Sequence, residues 1–461
     1  MTTLLPGDDD TIVAIATAPG RGAVALVRLS GARAIDIARA LGAFGGASGG
    51  DVLARRTQLI TVRDPVSGDT IDQALVTAFV APQSYTGEDV VELATHGGLV
   101  SPQRVVAACV AAGARLALPG EFTRRAVLNG RMDLLQAEAV ADLVDARTQA
   151  MQRQALAQLD GGLSRRLLAL RDDVIQLEAL IAYDIDFPEE DDGPIAPARI
   201  GAAATALLDG LDALLRTAPR GAMVRDGVLV VIAGPPNAGK SSLFNALLGD
   251  ARAIVTAVPG TTRDAIEALL DRGGALPLRL VDTAGLRDTD DEVEKLGIEV
   301  SGRYLAQAQV VLACGASPED VARTMGAVRE RTTAAVIPVL TKSDLHQHAG
   351  LVRGGDMAVV SAESGAGLAE LLAQIDAVAQ QTAPGSPQDS VIVTRERHRV
   401  GLTTARDEVA EFVRAWESRA LPAPVAAVHL HTAREAIAEL IGTVETEDVL
   451  ERVFRDFCIG K

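Results

Sequence analysis

The sequence predicts a multidomain chain of mixed class: an N-terminal α+β domain, a discontinuous helical domain, and an α/β domain inserted between the two helical pieces. Three observations predict it. The chain has 461 residues, enough for about three domains at roughly 150 residues each. Near Leu134 its texture changes from short β-rich runs to long amphipathic stretches. The apolar run Val228-Leu-Val-Val-Ile-Ala233 then leads through a glycine loop into a helical pattern, the opening of a segment that alternates strands and helices.

Taken in order, Thr11-Ile-Val-Ala-Ile15 and Ala23-Val-Ala-Leu-Val-Arg28 read as strands and Pro102 to Ala112 as a helix, giving an α+β domain over residues 1–129. The first helical piece covers residues 130–226. Leu156, Leu159, Leu163, Leu167, Leu170, Val174, Leu177 and Ile181 fall at three- and four-residue steps, one apolar stripe facing a partner helix. Phe187-Pro-Glu-Glu-Asp-Asp-Gly-Pro194 is a solvated loop, Ala198 to Thr217 a second helix, and Pro219 to Gly227 a linker. The inserted α/β domain spans residues 227–384 and closes at Ala383-Pro-Gly-Ser-Pro387. Residues 385–461 return to helix, in Arg395 to Arg419, Ala433 to Ile441 and Thr446 to Phe457.

Composition bounds the function. Hydrophobic residues make up 48% and charged residues 23%, ordinary for a soluble globular protein. The formal net charge of −17 argues against non-specific coating of nucleic acid, which needs many Lys and Arg contacts to phosphate. Any RNA contact is expected as a local patch. Cys109, Cys314 and Cys458 are odd in number and far apart, which fits a reducing compartment better than a disulfide framework or a zinc site. Neither a secretory signal nor a membrane span is expected: the opening residues have no basic flank before an apolar core, and no run reaches roughly 18 apolar residues.

Four boxes carry chemistry. Gly234-Pro-Pro-Asn-Ala-Gly239-Lys240-Ser241 stands between a strand and a helix, the context of a phosphate loop. Backbone N–H groups and the helix N-terminus there can cradle anionic oxygens, with Asn237, Ala238, Gly239, Lys240, Ser241 and Ser242 as the expected contacts. Lys240 is expected to reach the β- and γ-phosphates and the Ser241 hydroxyl to meet Mg²⁺. Thr261-Thr262-Arg263-Asp264 can supply a switch-loop threonine, Thr262, to the metal and γ-phosphate; alone it could equally be a turn. Leu280-Val281-Asp282-Thr283-Ala284-Gly285 ends an apolar strand with Asp282 placed to act on Mg²⁺ through water and Gly285 to offer its N–H.

In Thr341-Lys342-Ser343-Asp344, Asp344 can accept the two N–H donors of guanine, which favours GTP over ATP. The usual box begins with asparagine, so Thr341 loses an amide whose work is loop bracing more than base reading. Ser361-Ala362-Glu363 fits the last base-contacting loop, although the tripeptide by itself is uninformative. Leu286 stands where Ras-like GTPases carry a water-orienting glutamine and cannot hydrogen-bond. The acidic stretch Asp288 to Glu294 holds candidates for that task, each of which also reads as a solvated helix start. An arginine finger is missing as well, so a bound cation or a partner must supply its charge.

These boxes occur with Thr11 to Gly22, Tyr85-Thr-Gly-Glu-Asp89, Pro119-Gly-Glu-Phe-Thr123, Asp133-Leu-Leu-Gln-Ala-Glu138 and the ending Phe457-Cys-Ile-Gly-Lys461. Together and in this order they resemble the MnmE (TrmE) family of tRNA-modification GTPases over essentially the whole chain. The resemblance implies a folate-binding N-terminal domain that dimerises, a split helical domain, an inserted Ras-like P-loop GTPase domain, and an FAD-dependent partner, MnmG. With that partner the family modifies C5 of the wobble uridine of certain tRNAs, in the cytoplasm, using a folate-derived one-carbon unit of the 5-formyl- or methylene-tetrahydrofolate type.

Residue by residue, the resemblance makes Asn237 a K⁺ ligand, with the backbone around Thr256, Val258 and Thr261 completing a cation site that replaces the arginine finger; Thr256 also joins the nucleotide contacts. It places Glu294 as general base or water-positioning group beside Lys240 and Thr262, while Glu292 and Glu299 stay solvated. For the folate it implies Arg28, Glu92, Arg131 and the terminal Lys461; Arg131 stands where lysine is more usual, keeping charge but changing donor geometry. From spacing alone, Arg28 and Glu92 read instead as an ordinary ion pair. Cys458 is a candidate thiol held beside that site. Arg124, Arg125, Arg165 and Arg166 are candidate tRNA contacts, with solvated helix faces the simpler reading.

Two rivals remain at this point. A regulatory or ribosome-assembly GTPase without modification chemistry would satisfy the boxes but not the N-terminal blocks or the Cys-Ile-Gly-Lys ending. A folate enzyme acting alone would transfer one carbon without MnmG.

Overall fold

The computed structural model describes residues 7, 9–45, 52–186, 196–249, 252–254, 266–273, 276–282, 302–345, 357–382, 391–418, 422–442, 453, 454, 457, 458 and 460. Packing divides the chain into two compact units, Met1–Ala141 with Ala438–Lys461, and Asp142–Ile437.

The first unit is built on a six-stranded sheet. Its strands are β1 (Ile12–Ile15), β2 (Val24–Ser30), β3 (Gln58–Arg63), β4 (Thr70–Phe79), β5 (Val90–His96) and β6 (Arg115–Leu116), in the order β3-β4-β5-β2-β1-β6. All pairs are antiparallel except β1 with β6. Alternate residues point to opposite faces: Val27 and Leu29 of β2, Val76 of β4 and Val91 and Leu93 of β5 are buried with helices α1 (Ala34–Ala40) and α2 (Ser101–Ala111). On the other face Ile12, Ala14, Ala117 and Phe122 form a smaller cluster, Phe122 coming from α3 (Glu121–Leu128). The next helix, α4 (Leu134–Asp145), begins in this unit; Phe454 and Phe457 near the chain end pack on its Leu134 and Ala137.

The second unit combines helices with a seven-stranded sheet. After α5 (Gln149–Leu159) come α6 (Gly162–Asp186) and α7 (Pro197–Leu215). The expected stripe starts later than predicted. Gly161, at φ 79°, breaks the helix, so Leu156 belongs to α5 and is 42% exposed, while Leu163 to Ile181 are buried. The supposed linker Pro219 to Gly227 is instead helical, α8 (Ala218–Asp226). Proline is tolerated in a first turn, where its missing N–H has no partner to lose, and Met223 and Val224 are buried in the apolar core of the nucleotide domain.

The sheet strands are β7 (Val228–Ala233), β8 (Arg252–Ile254), β9 (Ile266–Asp271), β10 (Leu278–Asp282), β11 (Val310–Gly315), β12 (Ala335–Leu340) and β13 (Ala358–Val359), in the order β13-β12-β11-β7-β10-β9-β8. From β13 to β10 neighbours are parallel; β9 pairs antiparallel with β10 and β8. A parallel sheet must be covered on both faces, and β7 shows it: Val228, Val230 and Ile232 enter one apolar cluster and Leu229, Val231 and Ala233 the other. Helices α9 (Lys240–Gly249), α10 (Pro318–Arg329) and α11 (Leu368–Thr382) accompany the strands. The chain then returns through α12 (Glu396–Ser418) and α13 (Ala423–Ile441). The latter starts ten residues before the expected Ala433, with Pro424 again in a first turn.

Candidate functional site

The phosphate loop, Asp282, the Thr341–Asp344 box and Ser361 each end or follow a parallel strand, at the edge where α/β sheets bind ligands. The phosphate loop leaves β7 and enters α9. Gly234 is required by its neighbour: a Cβ there would lie 2.5 Å from the Cys314 carbonyl oxygen of β11. Asn237 and Gly239 both have positive φ, 62° and 81°, which curls the loop. Lys240 opens α9 with its ammonium buried, donating to Pro235 O at 2.9 Å. An ammonium at the N-terminus of a helix makes this a place suited to receive an anion. Ala238 is buried, while Asn237, Ser241 and Ser242 are exposed. Asp282, at the end of β10, is 1% exposed. Its charge and that of Lys240 both act on Cys314 from opposite directions, and burial pushes that thiol up to about 12. Cys314 is therefore a neutral packing group.

The base-reading side is tied to the phosphate side. Thr341 Oγ1 lies 2.6 Å from Ala238 O and 3.0 Å from Gly315 O. The hydroxyl thus bridges the two loops in place of the amide that an asparagine would bring. Lys342 has φ 55°, and its stem passes the phosphate loop, with Cε 3.7 Å from where a Gly239 Cβ would be. Ser361, fully buried after β13, donates to Asp344 Oδ1 at 2.6 Å and so orients the carboxylate expected to read guanine; Ala362, next in the chain, is half-buried. Of the other nucleotide and cation residues predicted, Thr256, Val258, Thr261, Thr262, Thr283, Ala284, Gly285 and Glu294 lie outside the described residues, as does Leu286.

In the first unit, Arg28 and Glu92 are register partners on β2 and β5. Arg28 Nε donates to Glu92 Oε1 at 2.9 Å and a terminal nitrogen sits 2.7 Å from the same oxygen. The guanidinium lies 5.4 Å from the Tyr85 ring centroid and 5.7 Å from that of Phe122, within cation–π range. It also reaches Gly460 O at 3.4 Å. The chain end is seated by glycine: a Cβ on Gly460, at φ 97°, would fall 2.5 Å from Ile15 O, and Gly120 N donates to Cys458 O at 3.3 Å. Cys458 is exposed; Lys461 lies outside the described residues. Arg131 Nε donates to Ser84 O at 3.1 Å, placing it on the loop that carries Tyr85.

Arg125 corrects both readings offered for it. It is 2% exposed, paired with Glu121 of its own helix and with Glu88, so it neither meets solvent nor contacts RNA. Glu121 in turn holds Arg115 at 2.8 Å. Burial raises the Glu121 carboxyl, but the bonds from Arg115 and Leu118 and the charges of both arginines hold it below the usual range. Tyr85, Phe122 and this buried network were not assigned roles from sequence. Their signal lay in the blocks Tyr85-Thr-Gly-Glu-Asp89 and Pro119-Gly-Glu-Phe-Thr123, which bring them together only in space.

The phosphate loop, its buried lysine, Asp282 and the braced Asp344 define a P-loop nucleotide-binding protein of the guanine class. Comparison with known proteins goes further. Residues 134–458 match the family model of the MnmE helical domain, and residues 11–131 that of the GTP-binding protein TrmE N-terminus. The tRNA modification GTPase MnmE of Moorella thermoacetica is 41% identical over 470 residues, covering 98% of this chain and 100% of that protein. The one from an Azoarcus species is 43% identical over 471 residues, covering 100% of both. A crystal structure of Era from Aquifex aeolicus aligns with 39% of this chain and 65% of its own at 23% identity and a TM-score of 0.24, too slight a likeness to carry an argument. The chain belongs to the MnmE family of tRNA modification GTPases, and it is a GTP hydrolase. No helix among the described residues is long and apolar enough to cross a membrane.

Proposed function

We propose that this chain is a potassium-stimulated GTPase that works as a homodimer, with an FAD-dependent partner of the MnmG type, to modify C5 of the wobble uridine of certain tRNAs in the cytoplasm. The carbon comes from a folate derivative bound in the first unit. GTP hydrolysis drives association and separation of the nucleotide domains. The observation that carries this reading is the joining of phosphate loop and base loop through Thr341 and Ala238, in a chain related over its full length to tRNA modification GTPases.

The residues present fit the groups invoked. The exposed Ser241 hydroxyl is a hard oxygen donor suited to Mg²⁺, with Thr262 as the second and the Asp282 carboxylate acting through water. Asn237, exposed in the phosphate loop, offers an amide oxygen to K⁺ beside the backbone of Thr256, Val258 and Thr261. In the first unit the guanidinium of Arg28, the carboxylate of Glu92 and two aromatic rings present paired donors, acceptors and flat apolar surface, the chemistry a pteridine ring matches; Arg131 and Lys461 add charge for its acidic tail. Glu294 orients the attacking water that Leu286 cannot hold.

The test is GTP hydrolysis in KCl against NaCl at equal ionic strength, for the native chain and Glu294→Ala. A potassium-dependent rate that the substitution abolishes is expected. Equal rates in both salts would overturn the potassium reading and favour a regulatory GTPase activated by a partner.

A further inference from the structure

The β9–β10 pair carries a hydrogen bond that the nucleotide contacts do not account for. The Tyr304 hydroxyl donates to Glu267 Oε1. Glu267 is the second residue of β9 and the register partner of Val281, which directly precedes Asp282. Register partners on an antiparallel pair share a face, and this face is the one on which Leu229, Val231, Ala233, Val281 and Val311 form an apolar cluster. Tyr304, in the helical residues 302–307, packs against that cluster. It is half-buried, as is Glu267.

Packing alone does not call for this pair. Glutamate is a poor strand former, and a valine at 267 would extend the apolar cluster, whereas a carboxylate set beside it costs desolvation unless it is bonded. A tyrosine hydroxyl taken out of water needs a partner too; a phenylalanine would need none. Each side chain supplies the other's bond, and the bond ties two points of the chain 37 residues apart.

The course of the chain sets what is tied. The Asp-x-x-Gly box starts at Asp282, where β10 ends paired with Ile266. The chain comes back at Tyr304 onto Glu267, the residue next to Ile266. Residues 283–303 thus have both ends held at neighbouring points of one strand. Between those ends lie Gly285 and Glu294, the latter twelve residues after Asp282 and ten before Tyr304. A segment held at both ends samples fewer arrangements than one held at its first end only, and hydrolysis needs its groups in one position. The nucleotide's own anchors lie elsewhere: Lys240 is bonded to Pro235 and Asp344 to Ser361.

We infer that Tyr304 is a positioning residue for GTP hydrolysis. Its bond to Glu267 fixes the returning end of the segment that follows Asp282, so that the groups of that segment meet the γ-phosphate and the attacking water in one arrangement. The inference extends the hydrolase activity, and it rests on the proposed function only for Glu294 as the water-orienting group so held.

The experiment is single-turnover hydrolysis of saturating GTP by the full chain in KCl, with the affinity for a non-hydrolysable GTP analogue measured on the same preparations. Tyr304→Phe keeps the ring in its cluster and deletes the hydroxyl; Glu267→Leu deletes the acceptor. Each should slow hydrolysis about tenfold, the low end of what a hydrogen bond to a charged group contributes, and leave the affinity unchanged. The double variant should be no slower than either single one, because both remove the same bond. Glu267→Gln, whose amide oxygen accepts the same O–H, should recover most of the rate. A native rate in Tyr304→Phe, a loss of affinity as large as the loss of rate, losses that multiply in the double variant, or a Glu267→Gln chain as slow as Glu267→Leu would each overturn the inference. Glu294→Ala, measured beside these variants, separates the two readings. A native rate there with slow hydrolysis in Tyr304→Phe would overturn the role proposed for Glu294 and keep the positioning by Tyr304, whereas lost hydrolysis there with a native rate in Tyr304→Phe overturns this inference alone.

Discussion

Thr341 carries a hydroxyl where the usual box has an amide, and the hydroxyl suffices for the bracing because the Ala238 carbonyl comes within 2.6 Å of it. Thr341→Val keeps the shape of the side chain and deletes that donor. The lost hydrogen bond is worth about 0.5–1.5 kcal/mol, so GTP affinity should fall about two- to tenfold at 1.4 kcal/mol per decade. Discrimination between GTP and ATP should survive, since Asp344 and its bond to Ser361 are untouched. Calorimetric titration of both nucleotides checks this; native GTP affinity in the variant would show that the hydroxyl braces nothing. At this scale the sequence was legible wherever the functional residues are contiguous, as in the phosphate loop. It was not legible for Arg125, because burial and a partner 37 residues away, Glu88, leave no local pattern.

The β9–β10 hairpin shows how an element can join two tasks. At its base, β10 ends on Asp282, and Glu267 of β9 accepts a hydrogen bond from Tyr304. At its tip, Asp271 Oδ2 accepts the Gln149 N–H of α5 at 3.1 Å, and Arg272 pairs with Asp376 of α11. The first turn of α5 thus has two of its orphan donors met, one by Thr148 and one by the hairpin. A shift of Asp282 with nucleotide state would be carried along this strand pair to that helix. Hydrogen exchange in the first turn of α5 should therefore differ between chains loaded with GDP and with a GTP analogue. Asp271→Ala should raise exchange there in both states and remove the difference, with nucleotide still bound. A difference that persists in the variant would assign the coupling to another element. The helix α8 belongs to the same lesson. Its proline and glycine imitate a linker, and only packing reveals why the glycine is there: a Cβ on Gly221 would fall 1.9 Å from Val393 O.

For the whole molecule, this packing sets where the inserted domain can be cut. The strand and helix alternation spans residues 227–384, but its apolar core also holds Met223 and Val224 from before it and Ile392 from after it. Entry and exit are joined as well: Val393 N donates to Thr217 Oγ1 at 3.0 Å, and Gly221 lies against the Val393 carbonyl. The composition shifts that mark domain limits in sequence record where the chain becomes polar, not where a core ends, so they place the boundary inside the packed region. Burying a Met, Val or Ile side chain is worth about 1.5–3 kcal/mol, and three are lost when the fragment is cut at 227 and 384. A fragment of residues 217–394 should therefore exceed one of 227–384 in unfolding free energy by about 5 kcal/mol, a large part of the 5–15 kcal/mol typical of a domain. Urea unfolding of the two fragments, followed by circular dichroism, measures it. Equal midpoints would mean that α8 and residues 391–394 only rest on the nucleotide domain; the expected gap would make them part of its core, and any movement of that domain would then have to carry α8 with it.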